Sequence, residues 1–382
     1  MLEAHVEWIE GDGVGAEIWR AARPVIDAAA ERAYGGARRL YWHELLAGEK
    51  AMREMGSPLP ESTLNSLRKA TLAMKGPLGT PVGGGIRSLN VAMRQGLDLY
   101  ACIRPIRYFD GLETPVKHPE QVNMVVFREN TEDVYAGIEY KDSTPEAARL
   151  IAFLRDELGV RSVSPEAAIG IKPMTAFGSK RLVRRAIRFA LAHKLPSVTL
   201  VHKGNIMKFT EGGFRQWGYD VAAQEFADTT CTEKESIPGR LVIKDRIADA
   251  MFQEALLHPS RYSVLATPNL NGDYLSDAIA AQVGGLGMAP GVNMSDTLAF
   301  FEATHGTAPD IAGQDKANPC SLILCGAMLF EHLGWNEAAA LVRGAVEKAL
   351  AGRTVTADLA GQLPGSRVVG CTAFGEIIGS CL

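Results

Sequence analysis

The chain has no Cys-x-x-Cys, and its six cysteines (Cys102, Cys231, Cys320, Cys325, Cys371 and Cys381) are scattered through 382 residues. That excludes a zinc ribbon or a thioredoxin-like redox pair. In a chain of this length it favours reduced thiols over a disulfide framework, and hence a cytoplasmic protein. No apolar run approaches the roughly 20 residues needed to cross a bilayer. Met1 to Glu10 carries His5, Glu7 and Glu10 inside its apolar stretch, which excludes a signal peptide and reads as a first strand. Neither sign of charge dominates: Lys and Arg total 40 against 44 Asp and Glu, for a formal net charge of −4. This argues against nucleic acid or an anionic membrane as the main partner. There is no internal repeat and no low-complexity segment.

What remains is an ordinary globular composition, 47% hydrophobic and 22% charged, in a chain long enough for two domains. Strand-like runs alternate with helical ones, the pattern of the α/β class. Val6 to Ile9 enters Gly11-Asp12-Gly13-Val14-Gly15, and a helix follows with Ile18, Ala22, Val25, Ile26 and Ala29 on one face. The glycines depart from the Gly-x-Gly-x-x-Gly dinucleotide fingerprint, because the third comes one place early and the region near Glu31 is helical. A tight strand-to-helix turn is expected there. Ser179 opens a second helix, whose Lys180, Arg181, Arg184, Arg185 and Arg188 read as a solvated face, since nothing aromatic interleaves them. Val198 to Val201 reads as a strand. A late helix is expected to be capped by Asn336 and stopped by Gly352.

The most informative residues are Asp273 and Asp277. They follow an apolar run, Tyr262 to Ala266, that reads as a strand ended by Asn271 and Gly272, with a helical pattern beyond. Four-residue spacing sets both carboxylates on one side of a helical turn, where they repel unless a cation lies between them. Taken alone, the pair reads first as a cap plus a solvated acid, with a divalent metal site as the alternative. A second constellation lies in residues 80–135. Glycines 83, 84 and 85 precede a helix carrying Ser88, Asn90 and Arg94, and Arg104 and Arg128 follow at element ends. Arginine's planar fork suits carboxylates, so the set would hold a small polyanion if the fold gathers it.

On these residues the sequence resembles the bacterial isocitrate dehydrogenases, within the metal-dependent β-decarboxylating dehydrogenases. The similarity covers 76–139, 170–218, 242–251 and 264–319. The matching runs are Pro81 to Arg94, Phe127 to Tyr135, His202 to Gly212, Asn269 to Gly285, and Glu302 to Asn318. The main departure is a shorter segment around 228–241. The resemblance implies an α/β, two-domain isopropylmalate dehydrogenase-like fold with a cleft between its domains. The large domain would comprise 1–99 and 284–382, the small domain 100–132 and 177–283, and an intersubunit clasp 133–176. It implies oxidative decarboxylation of isocitrate to 2-oxoglutarate, a step of the tricarboxylic acid cycle. Arg94, Arg104 and Arg128 would bind the α- and β-carboxylates, with Ser88 and Asn90 at the γ-carboxylate. Mg²⁺ or Mn²⁺ would be held by Asp249, Asp273 and Asp277, while Lys203 and Tyr135 move protons. Asp249 and Lys203 would come from the neighbouring subunit of a homodimer.

The cofactor residues implied are Thr80, His305, Gly306, Ala308, Asp310, Ile311 and Asn318. Family members that use NADP carry lysine and tyrosine where this chain has Asp310 and Ile311, and tyrosine and arginine where it has Ala357 and Gly361. All four positions lead to the expectation of NAD. The alternatives are a sister enzyme for homoisocitrate, 3-isopropylmalate or tartrate, and a non-catalytic regulatory subunit.

Overall fold

The computed structural model describes residues 2–79 and 88–382. As the alternation predicts, it is a mixed α/β fold, with 11 strands of the described residues in one sheet. From one edge run Arg38–Glu44, Leu2–Ile9, Leu72–Lys75, Ala299–Ala303, Pro290–Met294 and Ala101–Arg107. The order continues with Asn123–Glu129, Val264–Thr267, Ser197–His202, Leu241–Ile247 and Thr230–Thr232. The first four strands pair in parallel, and so do the last five. The three pairings between these blocks are antiparallel, so two parallel blocks of opposite direction meet at a central seam.

One face of the sheet lies under a single large apolar core, covered by helices including Gly15–Tyr34, Ala176–Ala192, Cys320–His332 and Asn336–Ala351. The other face has two smaller cores, one around Ile9, Ala73, Leu99 and Phe300, the other around Met124, Val126, Val201 and Leu265. Strand alternation divides the faces: Phe301 and Phe127 enter the large core, and their neighbours Phe300 and Val126 enter the two smaller ones. At the seam between the smaller cores the face turns polar, with Lys75, Glu302 and Gly291 paired in one row and Arg104 beside Gly291.

Local chemistry shifts several expected boundaries. The helix expected to open at Ser179 begins at Ala176, because Thr175 caps it by accepting from the Gly178 N–H at 3.0 Å. The helix carrying the aspartates spans Asn269–Ala280, so Asn271 and Gly272 lie inside it and form no turn. Gly272 marks a close approach instead: a Cβ there would stand 2.2 Å from Thr267 Oγ1 and 2.7 Å from the Arg128 side chain. The run from Gly11 to Gly15 is a tight turn between the first strand and helix. Gly13 has a φ of 57°, and a Cβ on it would meet the Thr307 carbonyl oxygen at 2.1 Å. Residues 139–170 leave the main body as a short antiparallel pair, Glu139–Tyr140 with Ile169–Gly170, enclosing the helix Pro145–Asp156. The six cysteines are free thiols, and burial pushes Cys325 and Cys371 up to about 12. No helix of the described residues is long and apolar enough to cross a membrane.

Candidate active site

Asp273 and Asp277 share one face of their helix, and Arg104 and Arg128 reach them from adjacent strands. Arg104 Nη1 lies 3.0 Å from Asp277 Oδ1 and 3.8 Å from Asp273 Oδ1, and donates to Ser276 Oγ at 2.6 Å. Arg128 pairs with Asp273 through Nη1 and donates from Nε to Asn269 Oδ1 at 2.8 Å. The Tyr135 hydroxyl donates to the other oxygen of Asp273, and its ring lies 4.8 Å from the Arg128 guanidinium. The close seat of Gly272 is what brings this helix onto the Arg128 side chain. The environments of the two acids then pull them apart. Burial pushes the Asp273 carboxyl up, but Arg128, Tyr135 and Arg104 outweigh it and hold the group below the usual range. Asp277 ends above that range, because burial and the neighbouring Asp273 outweigh Arg104.

Arg94 belongs to the same polar seam. Its helix, Leu89–Gly96, packs Leu89 and Met93 into one of the smaller cores, and Arg94 Nη2 reaches Glu302 Oε1 at 3.0 Å. Glu302 also accepts from Lys75 at 2.6 Å and from Asn293 Nδ2 at 2.7 Å, and Asn130 donates to Asn293 at 2.9 Å. Sequence reasoning missed this network. Its signal was a charge inside each of two short apolar strands, Lys75 in Leu72–Lys75 and Glu302 in Ala299–Ala303. Both charges are buried, so both need partners. Each of these three arginines keeps a buried guanidinium nitrogen without a partner among the described residues, Arg94 Nε, Arg104 Nε and Arg128 Nη2, as do Arg107 and Arg181 elsewhere in the molecule.

Ser88 stands half-buried just before the Leu89–Gly96 helix, and Asn90 donates to the Leu78 carbonyl at 3.3 Å while its own oxygen is buried and has no partner among the described residues. Thr80 and glycines 83–85 lie outside the described residues. Lys203 and Asp249 form an ion pair with each other, at the ends of neighbouring strands. That pair holds Asp249 below the usual carboxylate range. Among the described residues no hydrogen bond or ion pair joins these two side chains to Asp273 or Asp277, and no group of three metal-capable side chains forms within one chain. Their backbone is nonetheless linked to the aspartate helix: Glu211 accepts from the Lys203 N–H and from Asn271 Nδ2, the latter at 2.8 Å. Lys172 bridges Glu211 at 2.9 Å and Asp133 at 2.5 Å, so the base of the 139–170 excursion is fixed to the same place.

The expected cofactor residues lie along the loop after Ala299–Ala303. His305 has a buried Nε2 with no partner among the described residues, and burial holds its pKa below the usual value. Gly306 is exposed, and Ala308 takes a φ of 42°. Ile311 packs against the large core, and Asn318 is buried, donating to Asp358 at 3.0 Å. The Gly11–Gly15 turn abuts this loop through the Val14 N–H to Thr307 carbonyl bond of 3.0 Å.

The seam therefore sets three arginines against two paired carboxylates on one face of the sheet, an arrangement suited to an anionic ligand. Residues 5–378 match the isocitrate/isopropylmalate dehydrogenase family, and the chain belongs to it. It is 56% identical to the isocitrate dehydrogenase [NADP] of Streptococcus salivarius, over 93% of this chain and 90% of that one. With the isocitrate dehydrogenase [NADP] of Coxiella burnetii it shares 54% identity, over 98% of this chain and 90% of that one. Among solved structures, isocitrate dehydrogenase from Methylococcus capsulatus superposes with a TM-score of 0.83 at 39% identity, covering 99% of both chains.

These relatives overturn the expectation of NAD, since they are named for NADP despite such identity. Asp310 is exposed, so its repulsion of a phosphate is screened by water and salt. Its loop also carries the exposed cation Lys316. One surface carboxylate there, with Ile311, Ala357 and Gly361, does not decide the cofactor.

Proposed function

We propose that the chain oxidises isocitrate at C2, passes the hydride to NADP and releases CO₂ to give 2-oxoglutarate. The observation that carries this is the set of three buried guanidinium groups, each with an unsatisfied N–H, gathered on a seam with two acids and a tyrosine. Buried donors are seldom left unpaired, and the partner these three call for is an anion with several carboxylates. Arg94, Arg104 and Arg128 hold the α- and β-carboxylates, while Ser88 and Asn90 receive the γ-carboxylate. An alkyl group would leave that polar pair unmatched, which selects against 3-isopropylmalate. The names of the relatives support NADP.

Asp273 and Asp277 fit a hard divalent cation, Mg²⁺ or Mn²⁺. They offer adjacent oxygen donors, and their carboxylates lie on one face of the same helical turn. Asp249 of a second copy completes the set. When bound, such an ion lowers the pKa of the substrate hydroxyl and stabilises negative charge on its oxygen. Lys203, aided by Asp249, helps remove the hydroxyl proton as hydride leaves C2, passing a proton of its ammonium to the Asp249 carboxylate as it takes one from the substrate. Tyr135 is held above the usual tyrosine value by burial and by its bond to Asp273, so it stays protonated and delivers its proton to carbon once CO₂ has left.

Exposed Phe153 and Leu158 on the excursion and Ile138 at its base, with Phe209, Leu257 and Tyr274, support a homodimer whose copies share active sites. The two separate smaller cores support a large domain of 1–99 and 284–382, a small one of 100–132 and 177–283, and 133–176 as the clasp. A panel of isocitrate, homoisocitrate and 3-isopropylmalate tests the substrate. Isocitrate should give the highest kcat/KM, and preference for either of the others would sink the reading.

A further inference from the structure

The basic residues of the Ala176–Ala192 helix do not form a purely solvated face. Arg181, Arg184, Arg185 and Arg188 line a cavity of about 640 Å³ between that helix and the sheet, on the face opposite the arginine seam. Aromatic partners arrive from distant sequence: Arg181 lies 4.3 Å and Arg185 4.9 Å from the Tyr100 ring. The floor is a single cross-strand row of four apolar side chains, Phe301–Val292–Ile103–Phe127, paired in that order across four strands. One residue further along those strands, on the opposite face, stand Glu302, Asn293, Arg104 and Arg128. The back of the cavity and the arginine seam are therefore two faces of the same four strands.

The wall gives the ligand its chemistry. Four guanidinium groups face the cavity against two carboxylates, Asp296 and Glu331, and Glu331 is already paired with Arg343 at 2.8 Å. Arg181, Arg184 and Arg185 are also paired, with Asp98, Glu225 and Asp296. Arg188 is exposed and makes no hydrogen bond or ion pair among the described residues, with Glu225, already held by Arg184, the carboxylate near enough to feel its charge. An apolar body on the floor and one negative head at Arg188 would satisfy both surfaces. The volume lies within the range of small-molecule sites, roughly 300–1,000 Å³.

We propose that this cavity is a binding site for small amphipathic carboxylates, seated against the back of the strands that carry Arg104 and Arg128. Occupancy presses on those strands and changes affinity for the substrate, and by linkage the substrate changes affinity for the ligand by the same factor. Binding stands independently of the proposed reaction, whereas the coupling rests on Arg104 and Arg128 being substrate residues.

The test is calorimetric titration of the full-length enzyme with decanoate, alone and with saturating isocitrate. The expected result is saturable binding that persists with isocitrate present. It should weaken about tenfold in Arg188→Glu, which removes a charge-assisted contact, and vanish in Met328→Trp, which fills the cavity from the helix opposite. No saturable binding, binding unchanged in both variants, or simple competition with isocitrate would each overturn the site. The KM for isocitrate should shift at least about twofold with decanoate in the wild type and stay constant in Met328→Trp, in line with a modest coupling energy. An unchanged KM alongside confirmed binding would overturn the coupling.

Discussion

Arg94 spends one nitrogen on Glu302 and leaves Nε without a partner among the described residues, so its loss should be felt at the substrate. A charge-assisted contact is worth about 1.5–3 kcal/mol, and Arg94→Ala should lower kcat/KM for isocitrate by about 10- to 100-fold. An unchanged value at low isocitrate would remove Arg94 from the site. Ser88→Asp sets a carboxylate where the γ-carboxylate is placed, and repulsion of several kcal/mol should cut activity about 100-fold or more. Glu302 tests the buried network. Burial pushes its carboxyl up, but Lys75, Arg94 and Asn293 together hold it well below the usual range. A depressed carboxylate contributes stability that is complete at neutral pH and is lost as pH falls below about 4.3, its unfolded value. Glu302→Gln leaves Lys75 and Arg94 unmatched and should cost about 3–5 kcal/mol at pH 7. Urea midpoints should also fall less steeply as pH drops from about 4.3 to about 2 in the variant than in the wild type, and parallel slopes over that range would exclude Glu302 as the titrating group. The three arginines and two aspartates were legible from residue type and spacing. Glu302 and Lys75 were not singled out, because each is one charge in a short apolar run until pairing sets them side by side.

At the level of elements, the helix Asn269–Ala280 lies close enough to Arg128 that only glycine fits at 272. Gly272→Ala should force the helix away from the strand, cost about 1–3 kcal/mol, and lower activity by shifting Asp273 and Asp277 off the arginines. A variant as stable and active as wild type would show that the close seat is not required. The same glycine shows where local reading stops. Beside Asn271 it suggested a turn, and what fixed it was the far side of a contact with residues 267 and 128. The Ala176–Ala192 helix gives a second case. Its apolar spacing was legible, but the Tyr100 ring beside Arg181 and Arg185 comes from a distant part of the sequence, while Phe177 on the helix itself also meets Arg181.

On the scale of the whole molecule, α/β alternation foretold the class of fold but not that two parallel blocks run in opposite directions, since strand direction depends on connections that composition does not record. Among the described residues the side chains of Lys203 and Asp249 pair with each other and not with the other site residues, so shared sites are the proposed remedy. Mixing Lys203→Met with Arg104→Ala, each inactive alone, should restore roughly a quarter of wild-type activity by forming mixed dimers with one intact site. No recovery after subunit exchange would place both residues in one site of one chain. The most direct measurement is isocitrate-dependent NADPH formation by the purified chain, followed with and without EDTA and set beside NADH formation. Formation of NADPH with release of CO₂, abolished by EDTA and restored by Mg²⁺ or Mn²⁺, is the expected result. A purified chain that gives no reduced cofactor with isocitrate, or gives it undiminished in EDTA, would contradict a metal-assisted isocitrate dehydrogenase.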